Sequence, residues 1–454
     1  MLGSLVNKYN IAGPRYTSYP TVPYWNNETF SLKNWKSSLI QSFKESNSEE
    51  GISLYIHLPF CESLCTFCGC NKRITKQHGV ESPYINAVLK EWRLYLALFD
   101  EKPIIKELHL GGGTPTFFSP ENLKLLINGI FGQATRAENY EFSFEGHPNN
   151  TTREHLQALY DVGFRRVSYG VQDYNETVQK AIHRIQPFEN VKKATELARE
   201  IGYTSIGHDI IFGLPFQTLK HVEETILKTK ELLPDRLAFY SYAHVPWIKG
   251  NGQRGFDDAD LPSAALKRNQ YELGKQLLAQ VGYKEIGMDH FALTTDSLYE
   301  SMNNGELHRN FMGYTASKTQ AMIGLGVSSI SDSWYGFSQN VKDIESYYNL
   351  LNDNVIPVYR GHVLNNEDLV IRKHILNLMC QFETSWTIDT LYFEELPDVL
   401  IRLKEMEKDG LLLMHFNKIE VTKKGQPFVR NICMAFDLLL QRKLPDTQLF
   451  SMTV

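Results

Sequence analysis

The chain has 454 residues, 42% hydrophobic and 22% charged, with a net charge of −5; that is enough for a large core and more than one domain, and it offers no global basic field for nucleic acid. Four of the six cysteines fall between Cys61 and Cys70, which is not the pattern of a secreted disulfide framework and points to a reducing compartment, the cytoplasm. No basic then apolar leader opens the chain and no run of about eighteen apolar residues occurs, so neither a signal peptide nor a membrane span is expected.

In chain order, residues 1 to about 50 hold an arm, Gly13 to Thr21, that Pro14 and Pro20 keep extended, then a polar helix from about Leu32 to Glu45. Arg15, Tyr16 and Tyr19 either lie on the surface or cover a mouth and bind a carboxylate. From residue 51 strands and helices alternate. Strands are expected over Ile52 to Leu58, Ile105 to Leu110, Tyr140 to Gly146, Arg166 to Val171, Thr204 to Phe212 and Arg236 to Ala243. Helices are expected over Tyr84 to Leu98, Pro120 to Phe131, Arg153 to Val162, Glu189 to Ile201 and Leu219 to Leu233. This alternation argues for parallel strands with helical crossovers, an open partial (β/α)6 barrel whose ligands gather at the C-terminal strand ends. Polar and glycine residues do cluster there. In order, the six ends carry the cysteine loop, Gly111 to Pro115, Glu145, Gln172-Asp173, Asp209 with Gly213 to Pro215, and Tyr242 to His244. Residues about 247 to 360 read as elements flanking the open barrel edge. Beyond them, helices over Glu367 to Leu378 and Leu391 to Lys408, a hairpin over Leu411 to Val421 and a last helix over Gln426 to Lys443 make a mainly helical, winged-helix-like domain. It reads as a lid or packing domain. The expected division is 1–50, 51–360 and 361–454.

Cys61, Cys65 and Cys68 stand at C-x3-C-x2-C spacing. Three thiolates on one short loop can hold three irons of a cubane 4Fe-4S cluster and leave the fourth open for chemistry. Zinc usually draws two separated ligand pairs, and Cys380 and Cys433 are distant. Cys70 either competes as a ligand or lies just outside the cluster shell. The glycines at 111 to 113 let backbone groups approach a ligand, and no dinucleotide or P-loop fingerprint fits. A ligand with an α-ammonium and a carboxylate would find acceptors in Glu145 and the glycine carbonyls, and donors in the glycine N–H groups. Gln172, Arg184 and Asp209 are further candidate contacts, Asp209 suiting a ribose diol. Tyr55 and Phe67 bracket the cysteine loop, as covers for an adenine or methionine moiety or as core aromatics. His57, His109, His147 and His208, in or at the ends of strands, read as structural.

The cysteine spacing is the signature of the radical S-adenosylmethionine (SAM) enzymes. Together with Tyr55 to Cys61, Phe67 to Lys72, Gly111 to Pro115, Gly170 to Asp173, Asp209 to Pro215 and Arg430 to Met434, it makes the chain resemble the oxygen-independent coproporphyrinogen III oxidases over nearly its whole length. The related haem chaperones usually lack the arm and the second C-x-C cysteine. The resemblance implies a cytoplasmic oxidoreductase of haem biosynthesis. Reductive cleavage of SAM would give a 5'-deoxyadenosyl radical that takes a hydrogen from a substrate propionate. Loss of CO2 and a further electron leaves a vinyl group, and two such events turn coproporphyrinogen III into protoporphyrinogen IX. It further implies a 4Fe-4S cluster on Cys61, Cys65 and Cys68 and two SAM molecules. Tyr55, Gly112, Glu145 and Ile330 would contact the first. Phe67, Gly113, Thr114, Gln172, Arg184, Asp209 and Ala243 would hold the second. The substrate's four carboxylates call for cations at the mouth, for which Arg15, Lys72, Arg73 and Arg309 are candidates. An electron donor, an electron acceptor and a monomeric state complete the expectation. The rivals are a haem or tetrapyrrole carrier and another radical SAM reaction on a porphyrin, such as ring opening. Gly146-His147-Pro148 and His183 depart from the family's usual residues beside the second SAM.

Overall fold

The structure, a computed structural model, describes residues 2–245, 253, 255–445, 447 and 449–453. Six strands, β1 (Ile52–Leu58), β2 (Ile104–Gly112), β3 (Thr135–Gly146), β4 (Arg166–Gln172), β5 (Ser205–Phe212) and β6 (Arg236–Ser241), each pair in parallel with the next. The alternation of side chains along a strand divides each into two faces. In β1, Ile52, Leu54, Ile56 and Leu58 are fully buried, among the outer helices. Ser53, Tyr55 and His57 take the opposite face, toward the barrel interior. The same parity puts Phe142 and Phe144 of β3 in the helix-covered core and Glu141, Ser143 and Glu145 inside. Crossover helices Glu81–Leu96, Pro120–Phe131, Arg153–Asp161, Phe188–Ile201 and Leu219–Leu232 cover the outside. Ser119, Thr152 and Thr218 side chains cap three of their N-termini.

Residues 247–360 do more than flank the edge. Ala321–Leu325 (β9) is a seventh parallel strand, paired with β1 so that Tyr55 faces Gly324. Antiparallel strands β10 (Ile330–Ser333), β11 (Gly336–Asn340) and β12 (Val358–Val363) continue beyond it, and β7 (Lys284–Gly287) and β8 (His290–Ala292) extend the other side. The order is β12-β11-β10-β9-β1-β2-β3-β4-β5-β6-β8-β7, an open barrel whose outer strands do not close on each other. A five-residue run, Ala-Met-Ile-Gly-Leu, carries no clear period, which is why only the pairing reveals β9.

Helices Asn366–Gln381, Leu396–Lys408 and Val429–Phe436 pack around a small sheet of Glu383–Ser385, Leu412–Met414 and Lys418–Val421. The expected hairpin forms. The expected final helix does not run unbroken. A 3-10 turn, Gln426–Phe428, leads into Val429–Phe436, and Asp437 interrupts before Leu438–Arg442, its carboxylate accepting from the Leu440 N–H as an N-cap. Leu5, Val6, Tyr9, Tyr16 and Tyr19 of the N-terminal segment are buried among Ile371, Leu403, Ile419 and Ile432. Trp35, Leu39 and Phe43 of helix Leu32–Ser46 join the barrel core instead. Among the described residues no helix is long and apolar enough to cross a membrane.

Candidate active site

The cysteine loop leaves β1 through Phe60–Cys61, which pairs with Arg73–Ile74 and so closes the loop at its base. Its middle is tied across the mouth: Thr66 donates from its N–H to the Ile182 carbonyl and from its hydroxyl to that of Ala181, each at 3.0 Å. The same turn launches Arg184, whose Nη1 lies 3.8 Å from Cys65 Sγ. Cys61 Sγ is 3.4 Å from Thr114 Oγ1. Burial pushes the Cys61 thiol up to about 11, against the Thr114 hydrogen bond. At Cys68 a hydrogen bond from the Cys70 thiol, with Lys72 and Arg184 nearby, wins over burial and brings the thiol down to about 6. Cys70 moves the other way, chiefly through that bond. Lys72 Nζ donates to the Cys68 and Cys70 carbonyls at 3.0 and 3.3 Å, so it is part of this loop. Among the described residues no three His, Cys, Asp or Glu side chains converge on a single-ion site. Three separated thiols on one cation-flanked loop instead suit a cluster whose irons take one thiolate each.

Opposite this loop, β2 ends in the glycines. Gly112 has φ +113°, and a Cβ there would lie 2.8 Å from the His57 ring; one at Gly113 would lie 2.7 Å from the Pro59 carbonyl carbon. Both positions therefore require glycine. The Gly112 N–H donates to Glu145 Oε2 at 3.3 Å, and His109 Nε2 stands 3.6 Å from Oε1. Burial raises the Glu145 carboxyl, but the His109 hydrogen bond and charge and the Gly112 N–H outweigh it and hold the group below its ordinary value. With 47% of its side chain accessible, the carboxylate faces open space as an acceptor. Tyr55 stacks on His109 with centroids 6.0 Å apart, and its hydroxyl lies 3.1 Å from His57 Nδ1. Ile330 reaches the same corner, its carbonyl against Gly324, the residue paired with Tyr55.

The rest of the expected set lies along β4 to β6. Gln172 occupies a bulge with φ +65° and is buried. Arg184 Nη2 donates to the Gly170 carbonyl at 2.7 Å, while its Nε is buried with no partner among the described residues. Asp209 accepts from Ser168 Oγ at 3.2 Å. Burial, reinforced by the Glu145 charge, raises Asp209 to about 7. Glu145, Ser168, Asp209, Tyr240 and His290 line a cavity of about 110 Å³ inside the barrel. Phe67 packs with Val178, Ile182, Leu214 and Tyr242. Gln253 Nε2 donates to the Ala243 and Phe67 carbonyls at 2.8 and 3.4 Å, bringing those two residues together. His147 is a local turn group, its Nδ1 accepting from the Asn149 N–H.

Two of the expected mouth cations are elsewhere. Arg73 pairs with Glu345 in an exposed bridge. Arg309 is buried, donating to the Tyr16 and Arg15 carbonyls at 3.3 and 3.2 Å and lying over the Tyr314 ring, so it holds the arm down. Arg15 pairs with Asp289 beside a second cavity. Gln253, Tyr240 and His290 carry no spacing signal, and only the fold brings them to the mouth.

A three-thiol loop at the end of the first strand of an open parallel barrel, facing a glycine turn and an acceptor carboxylate, defines a radical SAM protein, and residues 55–228 match the family described as the Radical SAM superfamily. Over 99% of its length the chain is 37% identical to the oxygen-independent coproporphyrinogen III oxidase of Synechocystis, 97% of which is covered. That of Helicobacter pylori is 39% identical, with 96% of each chain covered. The solved coproporphyrinogen III oxidase of Escherichia coli, described as a radical SAM enzyme, superposes with a TM-score of 0.87 at 37% identity, covering 93% of this chain and 97% of that one. The chain belongs to the oxygen-independent coproporphyrinogen III oxidase family.

Proposed function

We propose that the protein oxidatively decarboxylates two propionates of coproporphyrinogen III to vinyl groups, giving protoporphyrinogen IX without oxygen. The observation that carries this reading is the meeting of the three-cysteine loop with the glycine turn, Cys61 Sγ 3.4 Å from Thr114 Oγ1, beside the Gly112–Glu145 hydrogen bond, in a chain of this family. The three thiols would hold a 4Fe-4S cluster, and Glu145, Gly112, Tyr55 and Ile330 a SAM molecule beside it. Bound there, cluster and SAM supply one-electron cleavage of the sulfonium and a carbon radical able to take hydrogen from a propionate β-carbon. Glu145, held ionised, would accept from the α-ammonium, and the Gly112 N–H bond orients its carboxylate. Phe67, Gly113, Thr114, Gln172, Arg184, Asp209 and Ala243 would hold a second SAM. The partnerless Arg184 Nε and the Asp209 carboxyl are the groups that ask for a polar ligand there. An external electron donor and acceptor complete the balance, and the cluster's sensitivity favours a reducing, cytoplasmic site. Substrate-dependent 5'-deoxyadenosine together with the loss of two CO2 masses, in anaerobic reconstitution with SAM and reductant, would establish the activity. Tight tetrapyrrole retention with no SAM cleavage and no mass loss would put a carrier in its place.

A further inference from the structure

A cavity of about 70 Å³ lies where β5 and β6 end, between helix Ala264–Val281 and the C-terminal helix Val429–Phe436, and the function above makes no use of it. Its wall combines Arg15, Lys267, Arg268 and Arg430 with apolar surface from Phe212 and Tyr271. Two of these cations have carboxylate partners: Arg15 with Asp289 and Arg268 with Glu272. The wall carboxylate Glu285 is taken by Lys275. Among the described residues Lys267 and Arg430 form no ion pair. Arg430 directs its donors to the carbonyls of Pro14 at 2.8 Å, Met452 at 3.0 Å and Gly13. Lys267 places one proton on the Tyr242 carbonyl at 2.7 Å, and an ammonium carries three. Its stem is fixed: a Cβ at Gly213 would come within 2.7 Å of its Cε. Neither cation has a carboxylate of its own within ion-pair distance among the described residues, only the longer-range field of Asp289, which Arg15 already engages, so an anion entering this space offsets part of the cost of burying them.

The position relates the cavity to the reaction mouth. Ser241 and Asp289 line it, while their neighbours Tyr240 and His290 line the barrel cavity that holds Glu145 and Asp209. Lys267 holds the carbonyl one residue before Ala243. Resting on the proposed function, we propose that this cavity docks one non-reacting carboxylate of the tetrapyrrole substrate, with Lys267 as the cationic anchor and Arg430 and Arg15 as its charged walls. The apolar wall takes the carboxylate's methylene arm. Burial and the facing Arg15 bring the Lys267 ammonium down to about 8, so its hold weakens as pH climbs past that value. Arg15, Asp289 and Arg430 act on its charge, and Arg268 and Glu285 complete the charged lining.

The test is titration of coproporphyrin III, the stable oxidised ring, into the cluster-loaded enzyme, Lys267→Met and Lys267→Arg, with bound cluster and SAM affinity as checks on folding. Lys267→Met is expected to weaken porphyrin binding about thirtyfold, the penalty for removing one partner of a buried charge pair. Lys267→Arg restores most of it and removes the decline above pH 8. The tetramethyl ester of coproporphyrin should bind wild type and Lys267→Met alike. Equal coproporphyrin affinity in wild type and Lys267→Met overturns the inference, as does an equal loss with the ester. Inorganic phosphate occupying the site in a Lys267-dependent way, with porphyrin indifferent to the substitution, makes it a small-anion site and also overturns it. A wild type that binds the porphyrin but removes no CO2 from the porphyrinogen instead marks failure of the proposed function, whatever Lys267 does.

Discussion

At the scale of single residues, two carboxyls in the barrel mouth are shifted in opposite directions. Glu145 is held ionised by His109 and the Gly112 N–H. Replacing it with Gln removes the charge but keeps the shape, so SAM affinity should fall about tenfold or more while the cluster absorbance persists; equilibrium dialysis of SAM measures it. Asp209 has its folded value raised from 3.8 to about 7. Between those values the folded state keeps a proton that the unfolded chain has lost, so stability falls as pH rises through that window. Asp209→Asn removes this dependence. Relative to wild type it should be neutral near pH 4 and more stable by roughly 2–4 kcal/mol at pH 8, in urea unfolding of the cofactor-free protein. Parallel wild-type and variant curves at both pH values would show that the carboxylate is not desolvated.

Elements decide where those residues meet. The turn after β2 brings the Gly113 and Thr114 N–H groups to the Leu58 and Phe60 carbonyls of the neighbouring strand end. At Gly112 both the positive φ and the His57 ring exclude a side chain. Gly112→Ala should destabilise the protein by about 2–4 kcal/mol and displace Glu145, so that melting temperature and SAM affinity fall together. Loss of affinity without a change in melting would place the effect in the ligand contact alone. The arm is a second such element. Its carbonyls accept from Arg309 and Arg430, and its Tyr16 and Tyr19 fill the C-terminal core. Deleting residues 2–20 removes about 1.5–3 kcal/mol of burial for each of the large side chains and strands two buried guanidinium groups. Limited proteolysis should then cut within 361–445 while the barrel stays resistant; equal resistance of both regions would show that the C-terminal helices do not depend on the arm.

At the scale of the molecule, the large core of the barrel lies between the strands and their helices, away from the cysteine loop. The loop itself is fastened by backbone bonds, Thr66 to Ile182 and Arg73 to Pro59. Stripping the cluster should therefore leave the far-UV circular dichroism and cooperative melting in place while SAM binding is lost. A collapse of secondary structure on chelation would mean that the cluster contributes to folding, as metals do in small domains.

The local signals were legible in the chain itself. C-x3-C-x2-C, the glycine triplet and the polar residues where strands stop are contiguous features, because ligands of one loop and turns of one backbone are set by neighbours in sequence. The alternation of strand-like runs with helical patterns likewise predicted the open parallel barrel. What depends on distant pairing was not legible. β9 has no period of its own and is revealed as a strand by its pairing, parallel with β1 and antiparallel with β10. Arg309 reads from sequence as a candidate mouth cation and Arg430 only as part of the family-like segment, until the arm's carbonyls are seen upon them, and Lys267 carries no motif at all. Sequence therefore determined the chemistry of the loop and the kind of scaffold, which follow from short-range covalent and conformational rules. The tertiary structure alone decided which charges are buried, which are compensated and which cavity they share, because desolvation and ion pairing depend on contacts between residues hundreds of positions apart.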